Sequence, residues 1–260
     1  MKFSGNTFVV TGGASGLGEA TVRKIVEQGG NAVIIDVNTE NAKKLSEELG
    51  EDRVLAPGRV DVTDEDQVDQ ALALAVERFG TLGGAIICHG VIGAPTSIPG
   101  YGPSNGLTSV QQVKFVNNIN FIGVYTVAQK VSEIIIKQET VNDDAERGVI
   151  VMVSSSAGLD GVLLAYGVAK AGVAGLILPM ARELAPFGIR VMGIAPGGFM
   201  TPMAISTAQL GDAFVAPGYS PGFPRRAGDP SEFAFMVSHI VENPMLNGHV
   251  VRLDAGVRLH

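Results

Sequence analysis

Short apolar runs alternate with amphipathic stretches along most of the chain. The runs are rich in Val and Ile, which is typical of strands that are buried on both faces of a parallel sheet. The stretches between them carry apolar residues at helical spacing. This alternation predicts an α/β fold, in which a doubly wound parallel sheet has helices on both faces. Seven strands are predicted, at residues 7–11, 31–36, 53–60, 85–88, 147–154, 189–195 and 249–253.

Two irregular stretches interrupt the alternation, at residues 92–109 and 196–228. Both are rich in Gly and Pro and lack a clear period. Long loops at the carboxyl ends of parallel strands often carry function, so we expect both to border a ligand site. Long helices are predicted at residues 110–137 and 165–184, the second bent by Pro179. No linker-like segment divides the chain, and residues 1–260 are predicted to form one domain.

Composition narrows the functional classes. Hydrophobic residues make up 46% of the chain and charged residues 17%, which suits a large buried core and argues against disorder. The net charge is −7 and no basic tract is present, so no nucleic-acid partner is expected. The single cysteine, Cys88, cannot form an intramolecular disulfide and fits a reducing compartment. We expect no targeting peptide, no membrane span and a cytoplasmic location.

A glycine-rich turn joins the first predicted strand to the first predicted helix. Its glycines, Gly12, Gly16 and Gly18, would let backbone amides approach a pyrophosphate at the helix N-terminus. Asp36 ends the second strand 18 positions after Gly18, near the roughly 20 expected for an acid that binds the adenosine ribose. Its charge would repel a 2′-phosphate, so we predict NAD rather than NADP. The alternatives are a merely structural turn, and an Asp36 that caps the helix at residues 39–49.

Two further pairs of residues point to chemistry. Tyr166 and Lys170 lie one turn apart on one face of the predicted helix at residues 165–184. A nearby ammonium lowers the pKa of a phenol, ~10 when free, and so lets it exchange a proton with an alcohol or carbonyl oxygen. The alternative is an interior Tyr beside a Lys that reaches solvent. Asp61 and Val62 follow the third strand, where Asp61 would bind an adenine amine or cap the next helix.

In this order and spacing the motifs resemble those of the short-chain dehydrogenase/reductase family. The matching motifs are Thr11-Gly12-x-x-x-Gly16-x-Gly18, Asp61-Val62, Tyr166-x-x-x-Lys170 and Pro196-Gly197. Residues 179–202, 228–230 and 242–248 are similar to the type 2 3-hydroxyacyl-CoA dehydrogenase branch, also called 17β-hydroxysteroid dehydrogenase type 10. The resemblance covers essentially the whole chain and implies a Rossmann-type fold and a nicotinamide cofactor.

The resemblance also implies roles for individual residues. Tyr166 would be the general acid/base, with Lys170 lowering its pKa and holding the nicotinamide ribose. Ser155 would orient the substrate oxygen, and Asn120 would anchor a water that links Lys170 to solvent. No metal site is predicted. The predicted dinucleotide-binding residues are Gly12, Ser15, Gly16, Leu17, Gly18, Asp36, Asp61, Val62, Cys88, Gly90, Tyr166, Lys170, Pro196, Gly197, Phe199 and Thr201.

The chain departs from the family pattern at two places. His89 stands where the family has a small Ala, and we expect it to be a loop or surface residue that reshapes the cofactor wall rather than a catalytic group. Ser155 precedes Tyr166 by eleven positions, about two fewer than the family pattern implies. Ser154 and Ser156 therefore remain alternatives for the catalytic serine.

The predicted function is oxidation of a secondary alcohol, or reduction of the matching ketone, with NAD as cofactor. The apolar loops favour a 3-hydroxyacyl-CoA or a hydroxysteroid-like substrate. The alternatives are an NADP-dependent 3-oxoacyl reductase and a non-catalytic dinucleotide-binding protein. The resemblance further implies a homotetramer built on the two long helices and the last strand.

Overall fold

The computed structural model describes residues 1–93, 107–204 and 221–259, and within them seven parallel strands form one sheet. Their order across the sheet is β3-β2-β1-β4-β5-β6-β7, and every neighbouring pair is parallel. The predicted doubly wound sheet is therefore confirmed. The strands are β1 (Thr7–Thr11), β2 (Asn31–Ile35), β3 (Val54–Leu55), β4 (Gly84–Ile87), β5 (Gly148–Val153), β6 (Ile189–Pro196) and β7 (Val250–Leu253).

Helices cover both faces of the sheet. One apolar core lies between the sheet and α3, α5 and α7, and the other between the sheet and α1, α2 and α8. This two-sided burial is the reason that the strands read as nearly continuous apolar runs. The helices are α1 (Gly16–Glu27), α2 (Thr39–Leu49), α3 (Glu65–Phe79), α4 (Val110–Asn117), α5 (Val124–Ile135), α6 (Ser156–Asp160), α7 (Leu164–Leu184) and α8 (Pro230–Glu242).

Polar side chains cap the N-termini of three of the predicted helices. Asp64 accepts a hydrogen bond from the Gln67 amide and caps α3. Asp229 and Glu232 form a capping box at the start of α8, with a proline at the first helical position, as Asp229-Pro230 predicted. The cap of α2 is Asn38. Asp36 is therefore not the helix cap considered as its alternative role.

The third strand is much shorter than the predicted run at residues 53–60. Only Val54 and Leu55 pair with β2, and pairing returns as an isolated bridge between Asp36 and Arg59. Pro57 has no amide hydrogen to donate, and Gly58 has a φ of 108°, outside the strand region. These two residues interrupt the ladder, and the bridge brings Arg59 beside the end of β2.

The helix predicted at residues 110–137 is divided into α4, a π-helical segment (Asn118–Gly123) and α5. Asn120 lies inside the π-helical segment and is fully buried. Its Oδ1 accepts a hydrogen bond from the Val91 amide at 2.8 Å, and its Nδ2 donates to the Val91 carbonyl at 2.7 Å. The wider turn places the amide on the chain that leaves β4, and such π-helical turns are frequent at functional sites.

Other predictions are corrected or lie beyond the described residues. The short helix α6 was not predicted, because five residues are too few to show a period. Helix α7 continues through Pro179 to Leu184. Most of the irregular stretches predicted at residues 92–109 and 196–228 lies outside the described residues. Contrary to expectation, residues Leu164–Phe187 are long and apolar enough to cross a membrane, but this is a weak indication because core helices share that composition.

Candidate active site

A cavity of about 640 Å³ opens at the carboxyl ends of the strands, beside β1 and β4, where the strand order reverses. Ligands of doubly wound sheets bind at this position. All sixteen residues predicted to bind the dinucleotide line it, and so does Ser155. Asn120 does not line it. The cavity therefore brings together residues that are distant in the sequence but follow successive strands.

The glycine turn forms one wall of the cavity and has no room for side chains. Gly12 and Gly16 have φ values of 63° and 55°. A Cβ on Gly12 would lie 2.9 Å from the Cα of His89, and one on Gly18 would clash with the backbone oxygen of Gly12. Ser15 is the N-cap of α1 but makes no capping hydrogen bond with its side chain. The first amides of α1 and the Ser15 hydroxyl thus border the cavity, which fits a phosphate group.

Asp36 supports the glycine turn as well as lining the cavity. Its Oδ2 accepts a hydrogen bond from the Ala14 amide at 3.0 Å, and its Oδ1 accepts one from the Asn38 amide at 2.9 Å. Arg59, which sequence reasoning missed, lines the cavity beside it. The Arg59 guanidinium lies 3.3 Å from the Asp61 carboxylate. This end of the cavity therefore holds two carboxylates and one cation.

Asp61 is bound mainly by its own loop. Its Oδ1 accepts hydrogen bonds from the hydroxyl and the amide of Thr63, at 2.7 and 3.1 Å. These bonds, together with Arg59, lower the pKa of the Asp61 carboxyl. Val62 packs beside it, and the Val62 side chain would meet a Cβ placed on Gly123. The pair forms a fixed, charged wall next to the Asp36 end of the cavity.

Three serines follow β5, and their surroundings distinguish them. Ser154 also lines the cavity, but its hydroxyl is buried and donates to the Lys170 carbonyl at 2.7 Å. Ser156 is a buried residue of α6 that does not line the cavity. Ser155 lines the cavity, caps α6 through the Ala157 amide at 3.2 Å, and hydrogen-bonds to Tyr166. Of the three candidates, Ser155 is the one that meets Tyr166.

The electrostatics of Tyr166 differ from the expectation. Burial raises the pKa of the Tyr166 phenol, and the hydrogen bond with Ser155 opposes this. The expected lowering by Lys170 is absent, because the Lys170 ammonium donates to the Val153 carbonyl at 2.8 Å and lies 5.8 Å from the centre of the phenol ring. Burial also lowers the pKa of Lys170, to about 8. Burial therefore works against the charged form of both residues, although Lys170 with a pKa of about 8 stays mostly protonated at neutral pH.

Asn120 lies behind the cavity wall, close to the ammonium. A Cβ placed on Gly90 would lie 3.3 Å from both the Asn120 Oδ1 and the Lys170 Nζ. Gly90 therefore separates the two groups without filling the space between them. Among the predicted catalytic residues, Ser155, Tyr166 and Lys170 line the cavity directly, and Asn120 stands next to Lys170.

His89 is a polar bridge, not a surface residue. Its Nδ1 lies 2.6 Å from the Thr11 hydroxyl, and its Nε2 lies 3.1 Å from the Ile119 carbonyl. The carbonyl can only accept, which assigns the proton to Nε2 and makes Nδ1 the acceptor for Thr11. Burial and the nearby Lys170 charge lower the pKa of His89 to about 3. The ring is thus a neutral link between β1 and the π-helical segment, and it lines the cavity as expected.

Further lining residues were missed because nothing local in the sequence marks them. One end of the cavity is mainly apolar and combines residues from four separate segments, which only the fold brings together. The Cys88 thiol nearby is kept protonated, because burial raises its pKa to about 12. No group of three or more metal-binding side chains occurs within residues 1–93, 107–204 and 221–259. The apolar lining comes from Val91, Ile92, Phe115, Ile119, Val153, Pro202, Met203 and Ala204.

A glycine-lined cavity at the reversal of a doubly wound sheet, with Ser155, Tyr166 and Lys170 at one end, defines a dinucleotide-dependent oxidoreductase. The sequence profile of the short chain dehydrogenase family matches residues 6–210. The chain belongs to this family, whose members bind a nicotinamide dinucleotide and act on small molecules.

Two curated relatives and one solved structure are similar to the chain over nearly its whole length. The chain is 40% identical to human 3-hydroxyacyl-CoA dehydrogenase type-2 over 254 residues, covering 96% of this chain and 94% of the human one. It is 38% identical to the Drosophila melanogaster protein of the same name, with 96% of both chains covered. The crystal structure of 3-hydroxyacyl-CoA dehydrogenase type-2 from Mycobacterium avium matches with a TM-score of 0.84 and 34% identity. It covers 100% of this chain and 99% of the other.

Proposed function

We propose that the protein is an NAD-dependent dehydrogenase that interconverts an apolar secondary alcohol and its ketone, with a 3-hydroxyacyl thioester as the preferred substrate class. The observation that carries the proposal is one continuous cavity. The glycine turn and Asp36 line one end of it, and Ser155, Tyr166 and Lys170 line the other. A dinucleotide that spans these two ends would bring its reactive ring to the only titratable phenol in the described lining.

In this proposal the side chains divide the work of proton transfer. When bound, the dinucleotide supplies the hydride acceptor or donor. Ser155 orients the substrate oxygen by a hydrogen bond, and Tyr166 exchanges a proton with that oxygen as general acid/base. Lys170 holds a positive charge close to the phenol and binds the ribose next to the nicotinamide. Asn120 fixes the wall beside Lys170 through Val91, which keeps a path for the proton between Lys170 and solvent.

The preference for NAD rests on Asp36. The carboxylate lines the cavity, and the Ala14 and Asn38 amides hold both of its oxygens in place. A fixed negative charge at this position would repel a 2′-phosphate and accept hydrogen bonds from ribose hydroxyls. The neighbouring Arg59 is partly neutralised by Asp61. We therefore expect NAD to be used with a higher kcat/KM than NADP.

The substrate class rests on the apolar end of the cavity and on the relatives. Phe115, Ile119, Met203 and Ala204 offer few polar partners to a substrate. Such a lining suits an acyl chain or another apolar group next to the reacting carbon. The two curated relatives and the Mycobacterium avium protein named above are 3-hydroxyacyl-CoA dehydrogenases by name.

An NADP-dependent 3-oxoacyl reductase is the second candidate, and Arg59 is the observation that favours it. Its guanidinium is more than half exposed at the Asp36 end of the cavity and is the kind of group that binds a phosphate. A direct comparison of NAD with NADP, in both reaction directions, distinguishes the two candidates.

We further propose a homotetramer, a single domain over residues 1–260, and a cytoplasmic location. Exposed apolar residues on α4, the π-helical segment, α5 and α7 support the assembly. The single sheet with one core on each face supports the single domain. The free thiol of Cys88 is compatible with a reducing compartment.

The test is reduced-nicotinamide absorbance with NAD or NADP across 3-hydroxyacyl-CoAs, hydroxysteroids and simple secondary alcohols. Tyr166→Phe removes only the phenolic hydroxyl, and we expect kcat to fall about 10²- to 10⁴-fold, the usual contribution of general acid–base catalysis. Tyr125→Phe is the matched control, because it removes the same hydroxyl group from a residue of α5 that does not line the cavity. Tight NAD binding without turnover on any substrate would instead support the non-catalytic alternative.

A further inference from the structure

A cluster of four charged side chains, Arg252, Asp160, Asp254 and the more exposed Arg258, lies behind the candidate active site and does not line the cavity. Arg252 on β7 makes a two-pronged ion pair with Asp160, the last residue of α6, at 2.7 and 2.9 Å. Its Nε also bonds to Asp254 at 2.6 Å. The side chains of Asp160 and Asp254 are only 8% and 6% exposed, and that of Arg252 is 22% exposed. Charges this well buried must be paired, so the cluster fixes the relative positions of the segments that carry them.

One of these segments is the helix that Ser155 caps. Helix α6 has five residues, begins directly after Ser155 and ends at Asp160. A Cβ on Gly158 would lie 2.6 Å from the Ala171 amide, so α6 packs tightly against α7. A rigid five-residue helix transmits the position of one end to the other. The Arg252–Asp160 pair therefore fixes the end of α6 that lies opposite Ser155.

The connection from Asp160 to Tyr166 is also under constraint. Gly161 has a φ of 73°, and Leu163, the N-cap of α7, has a φ of 58°. The left-handed conformation costs a branched residue such as Leu free energy, and surrounding structure must hold it. These two left-handed residues, within three positions of each other, allow the chain to turn from α6 into α7 through a short connection. The ion pair anchors the beginning of this short connection.

The cluster also ties α6 to the C-terminal segment, residues 254–259. The Leu259 amide donates to Asp160 at 2.9 Å, and Arg252 donates to the Val257 carbonyl at 2.9 Å. Val257 is fully buried. The Ala255 carbonyl accepts from the Gly222 amide at 2.9 Å. The C-terminal segment thus contacts α6 on one side and the chain that leads into α8 on the other.

We propose that Asp160 and Arg252 are positioning residues of the active site, and that the C-terminal segment supports Ser155 through them. This role rests on the proposed function for its kinetic consequences. Neither residue lines the cavity, so their effect on Ser155 and Tyr166 passes through α6 and its connection to α7. When the ion pair is lost, α6 gains freedom and Ser155 loses its alignment with the Tyr166 phenol.

The test compares Asp160→Asn with two matched controls. Asparagine keeps the size and one acceptor for the Leu259 amide but removes the charge. Glu48→Gln breaks the Arg23–Glu48 pair, which has the same two-pronged geometry at 2.6 and 2.9 Å but lies on α1 and α2. Glu146→Gln breaks the buried Arg190–Glu146 pair at the amino ends of the strands, which controls for a general loss of stability. Untagged protein is used for all four forms.

For Asp160→Asn we expect kcat to fall about tenfold with KM and NADH affinity within twofold of wild type, because misalignment of reacting groups costs rate rather than binding. Glu48→Gln should leave the kinetics unchanged. Glu146→Gln should lower Tm and leave kcat unchanged well below it. An unchanged kcat in Asp160→Asn, or a kcat that falls equally in Glu146→Gln, would overturn the proposal.

A second readout does not depend on turnover. The titration of Tyr166 is followed by phenolate absorbance, with the same spectrum of the Tyr166→Phe form subtracted in each background. The Ser155 hydrogen bond lowers the pKa of Tyr166, so Asp160→Asn should shift its titration to higher pH. If the wild type lacks dehydrogenase activity, the proposed function fails but this shift still decides the positioning role. A titration that coincides with that of wild type would contradict it.

Discussion

Lys170 combines two properties that oppose each other, since it is almost fully buried yet in the proposed mechanism carries a charge that assists Tyr166. Burial lowers its pKa from 10.5 to about 8, and its one protein hydrogen bond is to the Val153 carbonyl. At neutral pH the folded protein therefore holds a poorly solvated ammonium. Between about pH 8 and 10.5 the unfolded chain binds the proton more tightly than the folded one, so this cost declines as pH rises.

Lys170→Met should consequently inactivate the enzyme while stabilising it. We expect the free energy of unfolding at pH 7 to rise by about 1–2 kcal/mol, from a gain of about 1.4 kcal/mol per pKa unit reduced by the lost hydrogen bond. The gain should disappear by about pH 10.5. Urea unfolding of both proteins at several pH values measures it. A variant less stable than wild type at pH 7 would show that other contacts of Lys170 outweigh the burial of its charge.

His89 gives a pH dependence of the same sign as Lys170 but in a lower pH range, because its folded pKa of about 3 also lies below its ordinary value of 6.5. Between these values the unfolded chain takes up a proton that the folded chain does not. The contribution of neutral His89 to the free energy of unfolding is therefore fully present above about pH 6.5. It falls as the pH drops toward 3, by no more than about 1.4 kcal/mol per pH unit.

His89→Ala should weaken this acid sensitivity, and at pH 7 it should cost about 1–3 kcal/mol because Thr11 and Ile119 lose their partners. Denaturant unfolding between pH 4 and 7 measures both effects. His239→Ala is the control, since His239 is an exposed residue of α8. Equal slopes in wild type and His89→Ala would contradict the neutral bridge.

Secondary-structure elements differ in how well the sequence predicted them. The strands buried on both faces were predicted nearly to the residue, because Val and Ile runs between turns have few other interpretations. The bounds of β3 were predicted less well, because Pro57 and Gly58 interrupt its pairing with β2. The helix predicted at residues 110–137 is divided, because Asn120 widens it through a contact with Val91, 29 positions away. Predictions from sequence fail here because the deciding partners are distant or the element is too short.

The π-helical segment should depend on Asn120. Asn120→Ala leaves the amide and the carbonyl of Val91 without their side-chain partners, and we expect a loss of about 1–3 kcal/mol in the free energy of unfolding. Asn117→Ala is the matched control, because within the described part of the chain the Asn117 side-chain amide bonds to the Val113 carbonyl of its own helix and to no distant segment. Denaturant unfolding compares the two, and equal losses would mean that the contact with Val91 is not what stabilises the segment.

The residues predicted to bind the dinucleotide all line the cavity, because most of them follow the carboxyl ends of strands and Tyr166 and Lys170 lie on the helix that packs beside this edge of the sheet. Their roles stay predictions. The sequence analysis missed Arg59 and assigned His89 to the surface or a loop. The positions of both depend on neighbours that only the folded chain brings close. The direction of the pKa of Tyr166 was also wrong, because spacing on a helix indicates proximity but not the degree of burial.

The whole molecule exposes apolar side chains on the face formed by α4, the π-helical segment, α5 and α7. Phe115, Ile122, Tyr125, Leu164 and Val168 are all exposed there. The net charge of −7 favours contact of the other faces with water, whereas this face would bury apolar area in an assembly.

We expect light scattering to give about four times the 27.0 kDa of one chain. Val168→Glu should reduce that mass, because a buried carboxylate without a partner is costly in an interface. Leu74→Glu, an equally drastic change at an exposed position on α3, should leave it unchanged. A tetramer that survives Val168→Glu would exclude this face of α7 from the interface.

Asp36 also limits how cofactor use can evolve or be redesigned. Because one carboxylate oxygen accepts from the Ala14 amide and the other from the Asn38 amide, the residue that we propose selects the dinucleotide also shapes the glycine turn that we propose binds its phosphates. Replacement by Ala would remove the repulsion and loosen the receptor at the same time. A successful switch must therefore retain a short acceptor, such as Asn or Ser, and recruit Arg59 in a second step.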